Sequence, residues 1–186
     1  MALILKGKRI NLRSLKISDA KSIYKYVKHK DVLRYVTLPQ PYRFKHATDW
    51  IRKTQKDIRN KKTYELGIEL KETGEIIGAM GLVNLDMKNK NAETGCWVGK
   101  PYWRKGIAEE AKNILLDFAF GKLKLVRVYA KIINVNKAST ALVRRSGFTY
   151  EGTARKAIFR NNKWYDVLNY GLLKEELSSY DSEIVK

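Results

Sequence analysis

The sequence predicts an α/β fold in which helices flank one mixed, largely antiparallel sheet. Three observations carry that prediction. The first sixty residues hold amphipathic helical patterns. After Asn60 the apolar period changes from helical to alternating. A second strong helical pattern begins at Ile107 and is followed by β-rich runs. At 186 residues the chain fits one domain of common size. Such a domain buries roughly 70% of the surface its unfolded form exposes. No Pro/Gly/Ser-rich linker, repeat or low-complexity block divides it, so residues 1–186 are read as a single domain, with a frayed polar tail over about 178–186.

Each element has its own signal. Arg9 to Leu15 alternates like a half-buried strand. Ser18 is expected to cap a helix with Ile23, Tyr24 and Val27 on one face, Asp19 complementing its positive end. Asp31 to Val36 reads as a short second helix, stopped near Pro39 and Pro41. A third runs from about Lys45 to Arg59, presenting Ala47, Trp50, Ile51 and Ile58. Tyr64–Leu70 is a strand, Glu72–Glu75 supplies a turn, and Ile76–Leu85 pairs back as a hairpin. The polar loop Asp86–Asn91 leads into a strand over Ala92–Gly99.

Ile107, Ala111, Ile114, Leu115 and Phe118 then fall at helical spacing, with Glu109 and Glu110 in the first turn and Gly121 marking the end. Leu125–Ile133 is β-rich. Asn136 is expected to cap a short helix carrying Ala138, Ala141 and Leu142, closed by Gly147. Phe148–Thr153 returns as a strand, and Ile158–Tyr170 reads as a hairpin about Asn161-Asn162.

Composition excludes several classes. Hydrophobic content of 44% with 11% aromatics belongs to a folded chain. Ala2–Leu5 is too short for a signal-peptide core, and no apolar run reaches membrane-spanning length. A soluble cytoplasmic protein with no membrane partner is expected. The single Cys96 rules out an intrachain disulfide and reads as a buried structural thiol rather than a nucleophile. His29 and His46 lie outside any motif, and no metal-ligand cluster is present.

The charge is unusual: 38 Lys and Arg against 19 Asp and Glu give a formal +19. Three readings stay open: a solvated basic surface, an electrostatic funnel for a polyanionic ligand, and proximity to an acidic partner such as ribosomal RNA. Basic residues outnumber acidic ones two to one, which is not the composition of a thermophilic ion-pair network.

The segment Val98 to Ala111 carries the clearest chemistry. A strand end, a loop holding Pro101 and Gly106, and a helix start together present backbone N–H groups without helical partners at the positive end of a dipole. That is a seat for a diphosphate. Gly106 and Ala108 leave room for phosphate, and Arg104 and Lys105 add charge. It is neither a P-loop nor a dinucleotide fingerprint, because no Gly-Lys-Ser/Thr follows and the three-glycine spacing is missing.

Ala92-Glu93-Thr94-Gly95-Cys96-Trp97-Val98, Pro101-Tyr102-Trp103-Arg104-Lys105-Gly106-Ile107-Ala108, Asn136-Lys137-Ala138-Ser139 and Ser146 to Gly152 together resemble the GNAT superfamily of N-acetyltransferases. Their order and spacing are similar to its branch of ribosomal-protein N-terminal (alanine/serine) acetyltransferases. The likeness extends to Arg9–Arg13, Ser18–Ala20 and Trp164–Val167 before Tyr170–Leu173, so it covers nearly the whole chain.

The resemblance implies a V-shaped splay between the strand at Glu93–Gly99 and the one at Leu125–Ile133. The arm of acetyl-CoA would enter there and pair with backbone near Trp97, Val98 and Gly99. The amides of Arg104, Lys105, Gly106, Ile107 and Ala108 would hold the diphosphate, and Asn136 would meet the arm near the thioester. Trp103 departs from the family's Gln or Arg at the head of the phosphate signature, and Arg104 stands where relatives in this branch often carry Gly.

The reaction needs a deprotonated amine, a polarised carbonyl and a donor for the leaving thiolate. The family's Tyr donor falls on Val143 here, leaving Ser139 either as the acid or as a helix residue satisfying local backbone. Glu93 matches a strand carboxylate used as base, its alternative being a structural carboxylate. Ile158 stands where some ribosomal-protein enzymes have a Glu. Asp166 and Glu65 are secondary candidates, Asp166 alternatively pairing with a basic neighbour or the substrate amine.

The expected function is transfer of acetyl from acetyl-CoA to a primary amine, foremost a protein N-terminus in a ribosomal context. Helices over Ser18–Val36 and Lys45–Arg59 would wall the acceptor on one side and the Asn161-Asn162 hairpin on the other, with Tyr35, Tyr42 and Trp164 as lining. A small amine, amino acid or antibiotic is the alternative acceptor, and polycations are disfavoured by the +19 charge. A non-catalytic acyl-CoA-binding protein associated with the ribosome or RNA is the rival class, although no RNA-recognition motif supports it. No metal is implied, and a homodimer is one assembly open to the chain.

Overall fold

The protein is described by a computed structural model over residues 3–36 and 38–177. The tail expected to fray, 178–186, lies outside the described residues. Eight strands form one sheet in the order β1-β2-β3-β4-β5-β6-β8-β7. They are β1 (Ile4–Lys6), β2 (Ile10–Arg13), β3 (Tyr64–Leu70), β4 (Ile76–Asp86), β5 (Asn91–Val98), β6 (Arg127–Ile133), β7 (Thr149–Arg160) and β8 (Lys163–Leu173). Every neighbouring pair is antiparallel except β5 with β6. That parallel pair joins only Asn91–Glu93 to Arg127–Tyr129. Beyond it the two strands splay, and β5 runs on to Val98 with one edge unpaired among the described residues. The mixed, splayed α/β sheet expected from the sequence is therefore present.

Two apolar cores hold helices to the two faces. On one face α4 (Ile107–Asp117) buries Ile107, Ala111 and Leu115 against Leu12, Leu66, Met80, Leu82 and Ala92. On the other, α1 (Ala20–Val27) and α3 (Phe44–Arg59) bury Ile23, Val27, Ala47 and Ile51 against Leu15 and Ile76. The helical spacing of those side chains is the reason these segments fold as helices against a sheet. Two further helices are α2 (Lys30–Leu33) and α5 (Lys137–Arg145), and residues 174–177 are also helical.

Several local expectations need correction. Ser18 caps nothing. The chain enters α1 through a 3-10 turn, Ile17–Asp19, whose opening N–H, that of Lys16, donates to the Asp19 carboxylate at 2.7 Å. Asp19 is there because Arg13 grips it with two bonds of 2.8 and 3.0 Å, a buried pair joining β2 to the turn. The second helix starts one residue earlier than expected and is shorter, because the His29 ring accepts the Asp31 N–H and so caps it. Gly121 does not end its helix; α4 continues as a π turn over Phe118–Lys122. The apolar Leu3–Leu5 run contributes β1, an edge strand absent from the sequence reading. The strand expected over Phe148–Thr153 and the first arm of the expected hairpin form one long β7, with register shifts between Tyr150 and Gly152 and between Ala154 and Ile158. Its turn onto β8 is made by Asn161 and Asn162, both at positive φ.

Candidate active site

The open edge of β5 is polar by construction. The Gly99 N–H donates to the Ile77 carbonyl at 2.8 Å, continuing the β4–β5 ladder. Antiparallel alternation then turns the peptide groups of Gly95, Trp97 and Gly99 into β4, and those of Cys96 and Val98 toward the opening. Val98 thus meets the slot through its backbone, whereas Trp97 and Gly99 border it without offering theirs. The Trp103 indole N–H donates to the Val98 carbonyl at 2.6 Å, so this departure from the family signature ties the loop to the strand. Gly99 must lack a side chain, since the Tyr26 ring approaches within 2.8 Å of where a Cβ would stand. Tyr26 also meets Tyr102 edge-on, which fixes the loop against α1, and burial pushes its phenol up to about 12.

Past a 3-10 turn at Lys100–Tyr102 the chain takes left-handed conformations at Arg104 (φ 60) and Gly106 (φ 72). The first explains why glycine suits that position, and the second makes Gly106 the cap residue of α4. Glu110, one turn into the helix, accepts from the Arg9 N–H at 2.7 Å and from its guanidinium at 2.8 Å. Those bonds outweigh the burial that acts against its charge and hold its carboxyl below the usual range. The same guanidinium donates to the Lys105 carbonyl at 2.7 Å and stands 3.2 Å from the missing Cβ of Gly106. Arg9 is therefore a charged neighbour of the anion seat that sequence reasoning missed. Its sequence signals were a place in a strand and in the Arg9–Arg13 resemblance, 95 or more positions before the loop.

Across the splay, Asn136 accepts the Ser139 N–H at 3.2 Å and caps α5 as expected. The Ser139 hydroxyl has no protein partner among the described residues. Gly147 (φ 81) closes α5, and the Phe148 N–H returns to the Val143 carbonyl. Val143 itself is buried, so no donor comes from that position.

On the α1–α3 face, Glu93, Gly95 and Trp97 line up along β5. Glu93 accepts from the Asn84 amide at 3.0 Å and lies 4.0 Å from Lys131 Nζ. Glu65 on β3 is raised above the ordinary carboxylate value by burial, and its near partner is the Trp50 indole N–H at 3.4 Å. Asp166 has a local backbone partner. It accepts the Lys156 N–H at 2.8 Å, inside the β7 irregularity where Lys156 has φ 48. Tyr42 does not line an acceptor wall; it is buried in the second core, and its phenol is pushed up to about 12. Trp164 is exposed against Phe159, and Tyr35 is half-buried. Arg160 at the hairpin tip donates to the Leu33 and Val36 carbonyls at 2.7 and 2.6 Å, joining the hairpin to the end of α2.

His29 and His46 accept local backbone N–H groups, and no group of three or more metal-ligating side chains occurs among the described residues. Burial pushes the Cys96 thiol up, as for a protonated structural cysteine. No described helix is long and apolar enough to cross a membrane.

A parallel pair that opens after three residues, beside a helix start held by a left-handed glycine, defines an acyl-CoA-type slot. Residues 9–149 match the acetyltransferase (GNAT) domain model, and the chain belongs to that family. It is an acetyl-CoA-dependent N-acetyltransferase. The uncharacterized N-acetyltransferase YoaA of Bacillus subtilis is 30% identical over 171 residues, 92% of this chain and 97% of that one. A second Bacillus subtilis protein, named "Putative ribosomal N-acetyltransferase YdaF", is 39% identical over 103 residues, 55% of this chain and 56% of its own. Among solved structures, the microcin C7 self-immunity acetyltransferase MccE, in complex with acetyl-CoA and AMP, has TM-score 0.81 at 28% identity, over 89% of this chain and 93% of that one. The ribosomal L7/L12 α-N-protein acetyltransferase RimL, in complex with coenzyme A, shares the fold at TM-score 0.85 and 22% identity, over 92% and 98%.

Proposed function

We propose that this enzyme acetylates the α-amino group of a protein N-terminus, in a ribosomal or translation setting. The observation that carries the acceptor side is a row across the sheet: Glu65 on β3, Gly81 on β4 and Gly95 on β5 stand in register. The half-buried Glu65 side chain lies over Gly81, its Cγ 3.1 Å from where a Cβ would stand there, and Gly95 beyond it is bare, so the carboxylate reaches toward the open strand edge. A Cβ at Gly95 would meet nothing within 4 Å. A chain end fits over such a row, with its ammonium drawn to Glu65. The ribosomal acceptor is supported by the name of YdaF, which this chain resembles over 103 residues.

Acetyl-CoA, when bound, supplies the acetyl group as a thioester. In this reading the amides of Arg104, Lys105, Gly106, Ile107 and Ala108 hold its diphosphate, with Arg9 adding charge. The outward peptide groups of Cys96 and Val98 hold its arm, bordered by Trp97, Gly99 and Asn136. Glu93, at the apex of the splay, takes a proton from the acceptor ammonium, directly or through water. Ser139 presents its free hydroxyl from α5 as donor toward the leaving sulfur. The Arg160 bridge closes one end of the acceptor face and is the observation that favours the second reading, a small amine. The deciding experiment is mass-spectrometric comparison of N-termini in cells with and without the gene, paired with purified enzyme on N-terminal peptides and free amino acids. Lost N-terminal acetylation supports the proposal; turnover of free amines alone overturns it.

A further inference from the structure

Lys112 lies on the inner face of α4 beside Leu115 and Leu116 and is 2% exposed. Burying an ammonium is costly unless an anion or a set of hydrogen bonds compensates it. No carboxylate pairs with Lys112 among the described residues. Its Nζ donates to Thr94 Oγ1 at 2.7 Å and stands 5.8 Å from the centre of the Phe148 ring. The one other titratable group acting on it is the Cys96 thiol of β5.

The position of that contact gives it meaning. Thr94 is the first β5 residue past the three that pair with β6, so Lys112 reaches the apex of the splay from the α4 side. Glu93 and Gly95 point to the opposite, acceptor face. The proposed anion seat lies at the start of the same helix, six residues back at Gly106, about 9 Å along the axis. An arm anchored by its phosphates there and laid along Cys96 and Val98 brings its sulfur end toward the Lys112–Thr94 contact. Val143 offers no donor from α5, and the Ser139 hydroxyl, a donor, brings no charge.

We infer that Lys112 is the cationic partner of the coenzyme thiolate, oriented by Thr94. This rests on the slot assigned under the proposed function. As the amine nitrogen forms its bond to the acetyl carbon, the C–S bond breaks with its electron pair on sulfur. The amine's proton leaves on the acceptor side, and the Lys112 charge balances the thiolate. An anion arriving here compensates the cost of charge on the buried lysine, so the lysine's burial becomes a means of stabilising the leaving group.

The test needs no turnover. Wild type and Lys112→Met are saturated with coenzyme A or with desulfo-coenzyme A and titrated while ultraviolet thiolate absorbance is followed; the desulfo complex subtracts the Cys96 signal. The bound thiol is expected to ionise about one pH unit or more lower in wild type than in Lys112→Met, at least a tenfold change in its ionisation constant. Ionisation at the same pH in both overturns the inference. Should Lys112→Met fail to fold, wild type alone decides. Its affinity for coenzyme A relative to the desulfo form should rise about tenfold between the bound and free thiol pKa values, and a ratio flat with pH overturns the inference. Failure of the desulfo compound itself to bind would instead contradict the slot.

Discussion

Glu65 and Gly95 share one row of the sheet, with only Gly81 between them. Adjacent strands lie about 4.8 Å apart, and the half-buried Glu65 side chain lies over Gly81 toward the bare Gly95 at the β5 edge. Glu65→Gln is expected to raise the KM for the amine roughly 10-fold or more while leaving acetyl-CoA affinity unchanged, the loss of a charge-assisted bond being worth about 1.5–3 kcal/mol. Because burial raises the Glu65 pKa above its ordinary 4.5, acceptor affinity should weaken as pH falls through that raised value. Steady-state kinetics against pH should show this dependence in wild type and lose it in Glu65→Gln.

Gly95→Leu probes the same row sterically. A side chain there meets open space, so the thermal midpoint should stay close to wild type. The KM for the amine should rise as the added side chain fills the row. A large fall in midpoint with unchanged KM would contradict this reading of the row.

Gly106→Glu should abolish coenzyme binding by adding bulk and negative charge at the anion seat. Gly106→Ala separates strain from charge: at φ 72, and 3.2 Å from the Arg9 guanidinium, a Cβ costs roughly 1–2 kcal/mol of loop stability. Isothermal titration should find Gly106→Ala weakened and Gly106→Glu without measurable affinity.

Arg13 and Asp19 form a buried two-bond pair, with Glu69 as a third member at 2.5 Å from Arg13 Nε. Arg13→Met leaves two carboxylates near the core without their cation and should cost about 3–5 kcal/mol in chemical denaturation. Asp166→Ala should lower stability by a smaller amount, about 1–2 kcal/mol, with an unaltered pH–rate profile, because Asp166 clamps the β7 irregularity rather than handling protons.

These variants also mark what was legible in the sequence. Long periodic segments read well: β3 falls on Tyr64–Leu70 as expected, and α3 and the Asn136 cap differ little or not at all. The strand end, loop and helix start of the proposed anion seat were legible because they are contiguous, from Val98 to Ala108. What failed depended on distant partners. Asp19 reads as a helix-end charge in sequence, whereas Arg13 grips it, and nothing local links Asp166, a secondary candidate, to the Lys156 N–H it accepts. Glu65 could be placed on a strand, but its glycine row exists only once three strands are in register. Lys112 was illegible for a sharper reason: a lysine between apolar helix positions is read as solvated, and nothing local shows that Thr94 and Phe148 enclose it.

The enclosure has a thermodynamic signature. Burial lowers the Lys112 pKa below its ordinary 10.5, so in that range the unfolded chain binds more protons than the folded one. Stability contributed by this group therefore rises as pH increases from the depressed folded value toward 10.5. Urea denaturation of the coenzyme-free protein at several alkaline pH values should show that rise in wild type and a smaller one in Lys112→Met.

The central claim is that the unpaired edge of β5 receives the coenzyme arm. Amide hydrogen exchange resolved to single residues, with and without acetyl-CoA, tests it most directly. Strong new protection is expected at Cys96 and Val98, whose N–H groups face the opening, and little change at Trp97 and Gly99, already bonded to β4. Protection at none of the four, with acetyl-CoA demonstrably bound, would contradict it.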